Sequence, residues 1–97
     1  MKRLVILLPA EQEMTEAAQF YASRAEHLGA IFLSEVEVAL RRICSRPALC
    51  PMIRSGIRRK MLLRFPYAIL YREDPDEIVV LAIMHLHRRP GYWKDRT

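Results

Sequence analysis

Cysteine, glycine and long apolar runs are all scarce in this chain. The two cysteines among 97 residues, Cys44 and Cys50, are spaced for neither a zinc knuckle nor a Cys-x-x-Cys redox pair. Two thiols build no disulfide framework, so both are read as reduced, structural side chains. Leu4 to Leu8 is the apolar stretch nearest the N-terminus; it is too short for a signal-peptide core and stops at Pro9. No segment is long enough to span a bilayer uninterrupted by charge. A cytoplasmic protein without membrane contact is therefore expected. His85 and His87 alternate with Leu86, but no third ligand of suitable spacing follows, so neither a metal site nor another cofactor is expected. No repeat or low-complexity segment appears.

Apolar residues make up 52% of the chain, enough for a compact core, and the length fits one domain over 1–97. Charge is placed unevenly. Residues 1–53 carry six Lys/Arg and six Asp/Glu, whereas 54–97 carry ten and five, so the net +5 lies wholly in the second half. Such polarity is an electrostatic footprint for a polyanion or an acidic partner protein.

The apolar spacing gives the order of elements. Leu4 to Leu8 reads as a short buried strand, and Pro9 opens a helix whose first turn holds Glu11 and Glu13, where acids favour the helix dipole. Met14, Ala17, Ala18, Tyr21, Ala25 and Leu28 form its apolar stripe, and Gly29 is the expected C-terminal cap. A second helix places Phe32, Val36, Ala39, Leu40 and Ile43 inward, with Glu35, Glu37, Arg41 and Arg42 outside, and ends before Pro47. Almost no loop separates the two, so they should form an antiparallel hairpin. Residues 45–56 read as loop. Strands are expected at Ile57–Phe65, Tyr67–Arg72 and Ile78–Met84, with a turn at Glu73-Asp74-Pro75-Asp76. The third is so apolar that it belongs at the sheet centre. The fold class is thus α+β, in the order β-α-α-β-β-β, with a helical hairpin on a small, mostly antiparallel four-stranded sheet. Its second face is expected to stay partly open, lined by Arg58, Lys60, Arg64 and the tail after Met84.

Four segments carry a family resemblance: Ile57-Arg58-Arg59; Arg64-Phe65-Pro66-Tyr67-Ala68-Ile69-Leu70-Tyr71; Ile78-Val79-Val80-Leu81-Ala82; and His87-Arg88-Arg89-Pro90-Gly91-Tyr92-Trp93. With these, the chain resembles, over nearly its whole length, the RelE/ParE superfamily, the toxic halves of bacterial type II toxin–antitoxin modules. The resemblance implies a growth inhibitor neutralised by a cognate antitoxin, with operator DNA bound only through that antitoxin. It implies either of two targets. The RelE-like branch cuts mRNA in the ribosomal A site, and the ParE-like branch is a non-catalytic poison of DNA gyrase.

RNA cleavage through the 2′-OH needs a base, cations for the phosphorane charge and an acid for the leaving oxygen. By resemblance, Tyr92 stands in the tail position of the RelE-like tyrosine, Arg64 would stabilise the phosphate with help from Arg88 or Arg89, and His87 would carry a proton. Arg58, Arg59, Lys60, Arg64, Arg88, Arg89, Tyr92 and Trp93 form the wider candidate surface for a target or nucleic acid. Each has a structural alternative: Tyr92 and Trp93 as tail packing, and Arg58, Arg59 and Lys60 as a solvated strand edge. The central strand Ile78–Met84 offers no cation, and Arg72 is the only one in the hairpin, fewer than the RelE-like pattern carries. The expectation therefore leans toward gyrase, with mRNA cleavage as the alternative and a detoxified antitoxin-binding member as a further one.

Overall fold

The computed structural model describes residues 2–97. Strand β1, Arg3–Ile6, leads into helix α1, Leu8–Arg24, and helix α2, Glu26–Ser45; then come strands β2, Met52–Arg54, β3, Ile57–Met61, β4, Tyr67–Glu73, and β5, Glu77–His85. Short 3-10 turns follow α2 at Pro47–Leu49 and close the chain at Lys94–Arg96. The strands form one sheet in the order β1-β5-β4-β3-β2. β1 runs parallel to β5, and the other neighbours are antiparallel. The expected architecture is present, with β5 flanked by β1 and β4 while β4 takes the middle position, and the sheet has five strands rather than four.

The extra strand is β2, inside the segment expected to be loop. Ser55 and Gly56 form a tight turn with Gly56 at φ 77, a left-handed angle that glycine adopts without a Cβ clash, and Arg54 then pairs with Ile57. All three β2 residues are exposed, so no apolar alternation marks the strand. β1 also differs from expectation. It ends at Ile6, its side chains are exposed or only half-buried, and Leu8 already belongs to α1.

The helical hairpin turns earlier than expected. Ala25, with φ −157 and ψ 130, is the single extended residue between the helices, and its N–H still bonds to the Tyr21 carbonyl. Gly29 does not end α1; it lies buried in the first turns of α2. A Cβ there would sit 2.8 Å from the Ala18 carbonyl oxygen and 2.9 Å from the Ala22 Cβ. Glycine is required for the close approach of the two helix backbones rather than for a cap.

The α2 stripe is buried as its spacing dictates, and Phe32, Val36 and Ile43 pack with Ile69, Tyr71, Ile78 and Val80 from the sheet. Tyr21, Phe32, Phe65 and Tyr67 close one end of this layer in mostly edge-to-face contacts, with centroids 4.7–6.2 Å apart. At Leu81 the β4–β5 register shifts: Tyr71 opposes Val80 and Leu70 opposes Ala82, leaving Leu81 as a bulge. The second sheet face is not open. Ile57, Leu70, Val79, Leu81 and Ala82 form a second core there, closed by Trp93, which is 5% exposed.

Candidate interaction surface

Register separates the basic residues of β3. Arg58 and Lys60 oppose Tyr71 and Ile69 and so share the helix-side face, whereas Arg59 opposes Leu70 on the other. The expected alignment of Arg58, Lys60 and Arg64 on one open face does not form. The strand ends at Met61, short of the expected Phe65. Arg58 donates to the Cys50 carbonyl at 2.8 Å. The Nε of Arg59 is buried without a partner.

Arg64 lies in the loop joining β3 to β4, where the chain wraps the Glu35 carboxylate. The amides of Leu63 and Arg64 donate to Glu35 Oε2, and the Arg64 guanidinium reaches Oε1 at 3.2 Å. Partial burial raises the Glu35 carboxyl, but these donors outweigh it and hold the group below its usual range. Glu35, read from sequence as an outward residue, therefore ties the loop to α2.

The tail is held by a clasp that the sequence did not announce. β1 turns away after Ile6, leaving the outer edge of β5 without a strand neighbour beyond Val80. Side chains complete that edge. Glu13 accepts from the Ile83 amide at 3.0 Å, and Arg96 donates to the Leu81 carbonyl at 3.2 Å. Arg96 also binds both oxygens of Glu13, at 2.9 and 3.1 Å, and the Tyr92 hydroxyl donates to Glu13 Oε2 at 2.7 Å. Glu13 stands in the second turn of α1, not the first, and only 12% of its side chain is exposed. Its charge therefore serves this contact more than the helix dipole. The Tyr92 ring lies between two guanidiniums, Arg88 at 3.9 Å and Arg96 at 5.0 Å from its centroid. Burial first, and then the Glu13 carboxylate, push the Tyr92 phenol well above its ordinary range.

The remaining candidates meet at one end of the sheet. The Leu86 amide donates to the Pro66 carbonyl at 2.9 Å, bringing the turn after β5 against the loop that carries Arg64. His87, Arg88 and Arg89 are exposed in that turn, and the nearby loop presents Leu63, 87% exposed, and Arg64. The His85 Nδ1 accepts from the His87 amide at 3.0 Å, and no group of three or more metal-ligating side chains occurs among the described residues. The structure thus brings Arg64, His87, Arg88 and Arg89 to one exposed end, commits Tyr92 and Trp93 to holding the tail, and sends Arg58 and Lys60 to the helix side of the sheet edge. No helix among the described residues is long and apolar enough to cross a membrane.

A family model described as "ParE toxin of type II toxin-antitoxin system, parDE" matches residues 4–90. A solved structure titled "Chromosomal ParDE TA system from P. aeruginosa" is similar in fold, with a TM-score of 0.67 at 18% identity, covering 90% of this chain and 98% of that one. No curated protein matches the sequence at a significant level.

Proposed function

The chain belongs to the ParE toxin family of type II toxin–antitoxin systems, and from that premise we propose that it is a single-domain cytoplasmic toxin, neutralised by a cognate antitoxin, that inhibits DNA gyrase by binding rather than by catalysis. One observation carries the choice between targets. The side chain best suited to serve RNA cleavage, Tyr92, donates its hydroxyl to Glu13 and is held protonated. A phenol fixed in this way is a poor base for a ribose hydroxyl. Arg64, the expected phosphate ligand, is paired with Glu35. A binding toxin needs neither acid nor base, only a shaped cationic and apolar surface. The sheet end formed by Leu63, Arg64, Leu86, His87, Arg88 and Arg89 offers one, and these residues are the proposed gyrase contacts.

The test is purified protein at micromolar concentration added to gyrase and relaxed plasmid. Loss of supercoiling, or accumulation of cleaved complex, is expected, and both should weaken at least tenfold in an Arg88→Ala/Arg89→Ala variant. Unchanged gyrase activity rejects the reading. Ribosome-bound mRNA serves as the opposing assay: cleavage that falls by orders of magnitude in Tyr92→Phe and Arg64→Ala, with the fold intact, would replace gyrase by the ribosome.

A further inference from the structure

From Val38 to Arg72, 35 residues, the chain holds nine Lys or Arg and no Asp or Glu. The acids that border this stretch are already engaged, Glu35 with Arg64, Glu37 with Arg41 and Glu73 with Lys2. Most of its positive charge is therefore left unbalanced. At its centre β2 and β3 form a two-stranded ribbon at one end of the sheet, joined by the Ser55-Gly56 turn. A Cβ on Gly56 would meet nothing within 4 Å, so the turn stands clear of the rest of the molecule.

Cations line both faces of the ribbon. On the helix side, a groove of about 210 Å³ between the end of α2 and β3 holds Arg42, Arg46 and Lys60. On the other face, where Ile57 and Trp93 close the second core, a hollow of about 340 Å³ is walled by Arg54, Arg72 and Lys94, with Ser55 beside them. Arg72 is paired with Asp74, and the other five form no ion pair among the described residues. A single extended polyanion can follow only one face of such a ribbon. The two phosphate rows of a duplex, on either side of its major groove, can meet both. That groove in B-form DNA is about 12 Å wide and admits two strands about 5 Å apart with their side chains. The major groove of duplex RNA is too deep and narrow to do so.

We infer that the β2–β3 ribbon docks in the major groove of duplex DNA, with Arg42, Arg46 and Lys60 toward one phosphate row and Arg54, Arg72 and Lys94 toward the other. Met52 and Ile53, exposed on β2, bring no donor or acceptor to the base edges. Binding is therefore independent of sequence and rests on phosphate contacts and released counterions. Duplex DNA is contacted by this chain itself, not only through an antitoxin. None of these cations is among the proposed gyrase contacts, so DNA binding stands or falls apart from the gyrase reading.

The test is fluorescence anisotropy of a labelled 20-base-pair duplex of scrambled sequence with the full-length protein alone, between ~50 and ~200 mM salt. The logarithm of affinity should fall linearly with the logarithm of salt concentration, and the slope should shrink by about two in Arg42→Ala/Arg46→Ala and equally in Arg54→Ala/Lys94→Ala. Ser55→Glu, a carboxylate on the free turn, should weaken binding at least tenfold. Arg24→Ala, an unpaired cation on α1, should leave both affinity and slope unchanged. The inference is overturned if the duplex does not bind at the lowest salt, if either flank can be neutralised without loss, or if Arg24→Ala lowers the slope as much per charge as the flank variants. It is also overturned if polyglutamate of matched charge competes as well as unlabelled duplex, or if a single strand of the same length binds more tightly. Circular dichroism establishes that each variant is folded; should a double variant not fold, Ser55→Glu decides, and undiminished binding there is a negative result.

Discussion

At the scale of single residues, Glu13 decides more than any side chain singled out by the sequence. Its two oxygens accept from a backbone amide, a phenol and a guanidinium, and both it and Arg96 are mostly shielded from water. Glu13→Ala strands the Ile83 amide and leaves the Arg96 charge without its counterion, so a loss of about 2–4 kcal/mol is expected in urea unfolding. Tyr92→Phe removes one donor while keeping the ring between Arg88 and Arg96, and should cost about 1 kcal/mol. A loss from Glu13→Ala no larger than from Tyr92→Phe would show that the clasp does not hold the tail. None of this was legible from the sequence. Glu13 looked like a dipole-favouring acid in a first helical turn, and Arg96 drew no notice, because their contact joins positions 83 residues apart and no local period encodes such a pairing. The basic and aromatic tail was legible as a feature, but its division of labour was not. Arg88 and Arg89 stay exposed, while Tyr92 and Trp93 turn inward once the β5 edge needs partners.

At the scale of elements, strong periodicity translated directly and weak punctuation did not. The stripe Phe32, Val36, Ala39, Leu40 and Ile43 was fixed by spacing alone and every member is buried. The helix boundary was misjudged because glycine has two uses. One is to cap a helix with a left-handed turn, and the other is to let two backbones touch; only spatial neighbours distinguish them. Gly29→Ala measures the second use. Alanine favours helix by up to about 1 kcal/mol over glycine, but its Cβ would meet the Ala18 carbonyl oxygen at 2.8 Å, and relieving that overlap by shifting backbone costs about 1–3 kcal/mol. A net lowering of the thermal midpoint is therefore expected; an increase would mean that α1 and α2 separate freely. β2 was missed for a related reason: three exposed residues after a proline carry no alternation, and only the Ser55-Gly56 turn signalled a hairpin.

At the scale of the whole molecule, two cores on opposite faces of one sheet share the chain's four tyrosines among their edges. Tyr71 is fully buried against the α-helical layer with its hydroxyl on the Pro47 carbonyl, Tyr21 and Tyr67 sit in the aromatic end cluster, and Tyr92 belongs to the tail clasp. Burial pushes all four phenols above their ordinary value, aided at Tyr67 by the neighbouring Tyr21 and Glu13, at Tyr71 by Cys50 and at Tyr92 by Glu13. A phenol in the unfolded chain ionises near pH ~10. Because the folded values lie higher, the protonated phenols contribute stability that is complete below that pH and is lost as the pH rises through the folded values. Ionisation and unfolding should then be one event. In an alkaline titration the phenolate absorbance near 295 nm is expected to stay flat past the ordinary tyrosine range and then rise together with the loss of far-ultraviolet circular dichroism. Tyr92→Phe should make that joint transition shallower, since one of the four phenols whose ionisation drives unfolding is gone. Phenolate absorbance appearing near pH ~10 with the dichroism unchanged would mean that a tyrosine titrates freely on a folded chain, and the same titration of Tyr92→Phe would tell whether the tail or the aromatic cluster had been misjudged.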